Sequence, residues 1–359
     1  MENVNRKYIR ISIHRLEEVN GMKTIGELEN KLSTPSDRLI RDLARLDGDI
    51  LVLGVGGKMG PSLAKLAQRG IREAGNNAKV IGVSRFSSGT LQEELEAEGI
   101  ETIAADLLDE EALSGLPDAP NVIYMAGNKF GTTGKEYFTW AMNAYLPGRV
   151  AEKFKNSRIV AFSSGNIYPF TKVALGGASE ETAPSPVGEY AQSCLGRERV
   201  FEYFSRKNGT PVLNFRLNYA IDLRYGILLE VATAVKEGRP IDLNMGVVNV
   251  IWQGDANEMA IRSLLHCDSP PMTLNVTGPE AVSVRWLAER FGEALGTKPV
   301  FTGEEGLTAL LSNASNSHRL LGYPSVPLRQ MMEWTAEWVR AGGATLGKPT
   351  HFQEREGAF

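Results

Sequence analysis

Short apolar runs alternate with longer stretches of helical periodicity through the first two thirds of the chain. The runs occupy residues 49–53, 79–84, 101–105, 121–126, 158–163 and 211–216, and helical patterns fill the gaps, most clearly at 136–156 and 189–207. Runs this short and this uniformly apolar predict strands buried on both faces. Their alternation with helices predicts an α/β class: a doubly wound parallel sheet that binds ligands at the carboxyl ends of its strands. After Leu217 the rhythm loosens into shorter helices, Pro/Gly-rich links and one more strand at 272–276. The expected organisation is a helical arm over 1–47 and a dinucleotide-binding domain over 48–220, to which 247–266 returns. A smaller substrate-binding domain is expected over 221–246 and 267–345, followed by a polar tail over 346–359 that lacks periodicity.

The first run ends in Gly54-Val55-Gly56-Gly57-Lys58-Met59-Gly60, and an amphipathic helix begins directly afterwards. Glycines at such a junction let the main chain approach a pyrophosphate, and the helix start offers free N–H groups and its positive dipole end. Pro61 suits a first helical turn, where its missing N–H would be unpaired anyway. The spacing is G-x-x-G-x-x-G over Gly54, Gly57 and Gly60, because Met59 stands where a tighter G-x-G-x-x-G would need its last glycine. A Rossmann-type cofactor site built on Gly54, Gly57, Lys58, Met59 and Gly60 is therefore expected, with a plain structural turn as the alternative.

The 359 residues suffice for a large core, and 39 basic against 43 acidic side chains leave a formal net charge of −4. That balance offers no general attraction for nucleic acid or for an anionic membrane. Cys194 and Cys267 stand far apart without ligand spacing, so neither a disulfide framework nor a metal site is expected. No segment has the length of a membrane span, and the charged N-terminus lacks a signal peptide's apolar run, which points to the cytoplasm. His14, His266, His318 and His351 are scattered and Ser164 has no G-x-S-x-G turn, so a hydrolase triad has no support. Trp334 and Trp338 lie one helical turn apart, as core residues do, and Asp255 reads as a helix-start acid.

Other candidates fall at strand ends. Ser84-Arg85 closes the second run, where an acid would hold a ribose 2′-hydroxyl; arginine there favours a 2′-phosphate and hence NADP over NAD. Asp106, followed by Leu107, either accepts from an adenine amino group or caps the next helix. Ala126-Gly127 place small residues where the fourth strand passes a cofactor, and Asn128 and Lys129 follow towards a substrate.

Phe162-Ser163-Ser164-Gly165-Asn166-Ile167-Tyr168 and Glu189-Tyr190-Ala191-Gln192-Ser193-Cys194 complete the picture. With the glycine turn, Asp106, Ala126-Gly127, Asn143 and Arg216-Leu217-Asn218-Tyr219, they make the chain resemble the extended short-chain dehydrogenase/reductase superfamily, NAD-dependent epimerase/dehydratase type, from about residue 48 to 340. The resemblance implies that Ser164 hydrogen-bonds the reacting oxygen and that Tyr190, beside the cofactor, exchanges its proton as the nicotinamide exchanges hydride. It also implies substrate contacts from Asn128, Lys129, Asn166 and Asn218, a sugar or sugar-like polyol as substrate, and a homodimer formed through 136–156 and 189–207.

One departure stands out: the family's Tyr-x-x-x-Lys has Cys194 at the lysine position. A neutral thiol neither lowers a phenol's pKa nor orients a ribose. Another cation such as Lys129 or Lys172 could substitute, a different proton acceptor could act, or binding could survive without redox turnover. The expectation is thus an NAD(P)-dependent oxidoreductase or epimerase, with a redox-inactive dinucleotide sensor or scaffold as the alternative.

Overall fold

Seven apolar runs pair into one sheet. They are β1 (Ile50–Leu53), β2 (Val80–Ser84), β3 (Glu101–Ala104), β4 (Asn121–Tyr124), β5 (Arg158–Ser164), β6 (Val212–Leu217) and β7 (Met272–Val276). The computed structural model describes residues 22–87, 89–129 and 134–358. The order is β7-β6-β5-β4-β1-β2-β3 with every neighbouring pair parallel. Successive side chains serve opposite faces: Ile50 and Val52 pack with Leu63 and Ala67, whereas Leu51 and Leu53 pack with Leu146, Val150 and Phe201. Strand order reverses between β1 and β4, which opens a crevice at their carboxyl ends.

Three expectations needed correction. The strand at 272–276, assigned to the smaller domain, is the edge of the main sheet, in register from Met272 opposite Leu213 to Val276 opposite Leu217. Its placement follows from the helix Gln253–Arg262, whose Ala256, Met259 and Ala260 pack in the cluster that also holds Leu63 and Ala67, making it a crossover back to the sheet. Of the arm expected over 1–47, residues 1–21 lie outside the described residues, and the rest holds two helices, Ile25–Leu32 and Asp37–Leu43, interrupted at Pro35. Thr24 and Glu27 form a capping box on the first, and Ser36 caps the second.

The third concerns 136–156, which is not one α-helix but Glu136–Trp140, a π-turn Ala141–Tyr145 and Leu146–Lys153. Proline explains it: Pro147 has no N–H to give to the carbonyl of Asn143, four residues earlier. That carbonyl accepts from Arg197 Nε instead, at 3.3 Å. The widened turn carries the Asn143 side chain into the interior, where it is fully buried.

A second core forms beyond β6 from the helices Ile227–Glu237, Val284–Leu295 and Leu328–Arg340, with Leu228, Val231, Leu287, Phe291, Met331 and Trp338 among its members. Trp334 belongs to it, 5.4 Å from the Trp252 ring, as its spacing predicts. Asp255 does lie in the first turn of its helix, but its carboxylate accepts from Ser325 N, Ser325 Oγ and Val326 N, and burial pushes its pKa up.

Under the carboxyl ends of β5 and β6 lies a buried ion pair. Glu198 accepts from Arg216 Nε at 2.9 Å and Nη2 at 2.7 Å, and from Ser163 Oγ at 2.5 Å. Removing one partner strands the other charge in the interior. Glu198→Ala should lower unfolding free energy by about 3–5 kcal/mol in urea titrations, whereas a double apolar replacement with Arg216→Met should recover most of that loss.

Candidate active site

Two adjoining cavities follow the crevice. The first, about 360 Å³, is lined by Gly54, Gly56, Gly57, Ser84, Arg85, Asp106 and Leu107 among others. The second, about 760 Å³, is lined by Lys58, Met59, Lys129, Ser164, Asn166, Tyr190 and Asn218 among others. Gly54, Gly57, Met125, Gly127 and Asn128 border both. The cofactor and substrate residues expected from the sequence thereby border one continuous space, with the exception of Gly60, which supports the turn from behind.

The glycine turn is a cradle. Gly54 has φ +92°, and a Cβ there would stand 2.7 Å from Ala126 N, so β1 and β4 part with no room for a side chain. A Cβ on Gly60 would stand 2.2 Å from Val55 O, which fixes the start of the helix Gly60–Glu73 against the turn. Gly56, outside the expected triplet, also faces a close neighbour, since its Cβ would stand 2.4 Å from the Ser84 side-chain hydroxyl. Met59 is buried at the helix start. These features fit a pyrophosphate held by free backbone N–H groups at a helix N-terminus.

Around that turn the structure refines single residues. Arg85 is exposed at the end of β2 and borders the smaller cavity. Asp106 borders it too, while accepting from Leu108 N at 3.0 Å; the following helix Glu110–Ser114 is capped by Asp109, not by Asp106. Lys58 turns towards the other side, donating to Ala220 O at 3.1 Å with its ammonium 4.1 Å from the Tyr225 ring centroid.

Ser164 ends β5 and caps the short turn Gly165–Ile167. Its hydroxyl donates to Asn166 Oδ1 at 2.9 Å and accepts from Asn166 N at 3.1 Å. Tyr190 stands in the first turn of the helix Gly188–Asn208, hydrogen-bonded to Ser164 and in contact with Cys194. Burial drives the phenol pKa well above its ordinary value, and burial also raises the Cys194 thiol. Lys129 brings its ammonium 5.7 Å from the Tyr190 ring centroid, and burial lowers its pKa to about 8. Lys172, the other cation considered, pairs with Thr308 in a two-residue strand and borders neither cavity. Asn218 is buried and donates to Asn249 Oδ1 at 2.9 Å, so it shapes the wall more than it offers free donors.

Arg197 escaped the sequence reading. One turn beyond Cys194, it reaches Phe162 O at 2.6 Å and Asn143 Oδ1 at 2.8 Å and borders the larger cavity. Its positive charge acts on both Tyr190 and Cys194, lowering their pKa against burial. A signal existed: Arg197 follows Tyr190 by seven residues, which places both on one helix face.

A parallel doubly wound sheet with a glycine cradle at its switch point and a serine–tyrosine pair in the adjoining cavity defines a Rossmann-type fold. Residues 50–222 match the sequence model of the NAD dependent epimerase/dehydratase family. The fold of the chain is similar to UDP-glucose 4-epimerase of Thermotoga maritima, solved with UDP-glucose: TM-score 0.66, 18% identity, 82% of this chain and 99% of that one. UDP-glucuronic acid 4-epimerase of Bacillus cereus, solved with NAD, gives TM-score 0.67, 18% identity, and coverage of 81% and 96%. UDP-glucose 4-epimerase of Thermus thermophilus, also solved with NAD, gives 0.66, 18%, 83% and 100%. No curated protein sequence matches the chain. Among the described residues no helix is long and apolar enough to cross a membrane.

The depressed Lys129 pKa has a stability consequence. The folded value of about 8 lies below the unfolded 10.5, so the buried charge costs its full penalty below pH 8 and progressively less up to about pH 10.5. Lys129→Met should therefore raise the urea midpoint at pH 7 and leave it nearly unchanged at pH 10.5; an equal gain at both values would assign the effect to packing instead.

Proposed function

We propose that the protein is a nicotinamide-dependent enzyme that epimerises or reduces at one carbinol carbon of a sugar or sugar-like polyol. The observation that carries this reading is the hydrogen-bonded Ser164–Tyr190 pair in a cavity continuous with the glycine cradle. The match of residues 50–222 to the epimerase/dehydratase family model and neighbours solved with UDP-glucose and with NAD support it. The cradle and Ala126-Gly127 hold the dinucleotide, whose nicotinamide supplies the hydride acceptor and donor. Ser164 Oγ and Tyr190 Oη hold the reacting oxygen, and Asn128, Asn166 and Asn218 shape the substrate's surroundings.

The thiol at the lysine position shifts the proton chemistry to other groups. A phenol raised by burial is a poor base at neutral pH. Arg197 supplies positive charge that opposes the effect of burial on the phenol, and Lys129 brings a second cation 5.7 Å from the Tyr190 ring centroid. Arg85, exposed beside the smaller cavity, favours NADP through a 2′-phosphate contact. The raised phenol and thiol also favour a second reading, a dinucleotide-binding sensor without turnover.

Titrating nucleotide-stripped protein with NADH and NADPH by nicotinamide fluorescence tests the core of the proposal, since binding of neither would sink it. Arg85→Ala should weaken NADPH about tenfold and spare NADH. Tyr190→Phe should leave cofactor affinity intact while abolishing hydride transfer to sugars and sugar nucleotides. Indifference of every activity to Tyr190→Phe would instead support the sensor.

A homodimer is part of the proposal. Tyr137, Tyr145 and Tyr203 are 76%, 61% and 59% exposed on the two long helices expected at its interface. Light scattering should report twice 39.2 kDa, and Tyr145→Glu with Tyr203→Glu should return it to one. The two thiols unpaired with each other support a reducing, cytoplasmic setting.

A further inference from the structure

The C-terminal tail, without periodicity in sequence, is seated against the rest of the protein at five places. Leu346 N donates to Arg224 O at 3.0 Å, and Thr350 gives both N–H and hydroxyl to Glu230 Oε2 at 3.0 and 2.6 Å. Phe352 is 1% exposed within the second core. Arg355 donates to Asn244 O at 3.1 Å and to Thr308 O at 3.0 Å, with its guanidinium 4.3 Å from the Phe170 ring centroid. Beyond it, Gly357 packs so closely on Gly188 that a Cβ on Gly188 would stand 2.4 Å from Gly357 O. Gly188 opens the helix that carries Tyr190, two residues later.

Between the Leu346 anchor and the Phe352 plug, residues Gly347, Lys348, Pro349, Thr350 and His351 line the 760 Å³ cavity beside Tyr190 and Lys129. His351 takes φ +53°, which a side-chain-bearing residue holds at a cost of about 1–3 kcal/mol and only where its surroundings over-determine it. Anchors on both sides do that here. The charge of the lining is one-sided: among the described residues it contains Lys58, Lys129, Arg197 and Lys348 and neither aspartate nor glutamate. Such a cavity favours a ligand that brings negative charge. Lys58 is the cation of the glycine turn and Arg197 is committed to Asn143 and Phe162. Lys348 is exposed and is the cation that the tail contributes to the lining.

We propose that the tail segment 347–351 is a wall of the substrate site and that Lys348 recognises an anionic group, phosphoryl or carboxylate, carried by the sugar. This rests on the function proposed above and names its substrate class. The tail thereby couples substrate recognition to the helix start that presents Tyr190, through the Gly188–Gly357 contact.

The test is calorimetry on the full chain saturated with nicotinamide dinucleotide, using glucose, glucuronate, glucose 1-phosphate and UDP-glucose as probes. At least one anionic probe should bind about tenfold tighter than glucose, and Lys348→Glu should remove that advantage. Deleting 347–358 should do the same, with cofactor affinity unchanged in both variants. The glucuronate and phosphate arms tell the two anion chemistries apart. Equal affinity for glucose, no binding of any probe, or full anion preference in Lys348→Glu would overturn the proposal. Should the deletion fail to fold, Lys348→Ala and Lys348→Glu decide alone, because that side chain is exposed and carries no core packing. Failure of the cofactor itself to bind would overturn the functional reading rather than the role of the tail.

Discussion

Arg197 and Glu198 leave the same turn of one helix and enter the interior in two directions, and the site depends on where they end. Arg197 ties the helix to Asn143 in the π-turn and to the Phe162 carbonyl on β5. Glu198 ties it to Arg216 on β6 and to Ser163 on β5. Burying charge is costly unless nearly every donor and acceptor is met, and these hydrogen bonds meet that demand only in one position of the helix. That constraint sets Tyr190 beside Ser164. A helix held by apolar packing alone could slide by fractions of an ångström; one held by charge-assisted hydrogen bonds at two successive residues cannot.

The same logic explains the π-turn. Asn143 accepts at Oδ1 from Asn128 N at 2.8 Å as well as from Arg197, and donates to Asn128 O at 2.8 Å and Ser193 Oγ at 3.0 Å. One side chain thus positions the chain leaving β4, including the segment that leads to Lys129. Pro147 makes this possible by leaving the Asn143 carbonyl to a side-chain donor.

The strands were legible because buried parallel strands write themselves as uninterrupted apolar runs, and the cradle because only glycine tolerates φ +92° at residue 54 or a carbonyl 2.2 Å from the Cβ position at residue 60. The assignment of Met272–Val276 failed because a strand's sheet is decided by what its crossover helix packs against, which local periodicity does not encode. Arg197 was invisible to a motif search that stops at the lysine position. The tail was illegible for a different reason: its order comes from one plug, Phe352, and from hydrogen bonds to residues distant in sequence, none of which leaves a period.

Cys194 stands where the Tyr-x-x-x-Lys pattern of the family that the chain resembles carries a lysine. A lysine four residues after the tyrosine combines a permanent positive field, a donor to the ribose and proximity to the phenol. Arg197 supplies positive charge that acts on both the phenol and the thiol. Lys129 brings a second cation, its ammonium 5.7 Å from the Tyr190 ring centroid. The thiol itself, buried and raised above its ordinary pKa, stays neutral and serves as packing beside the phenol.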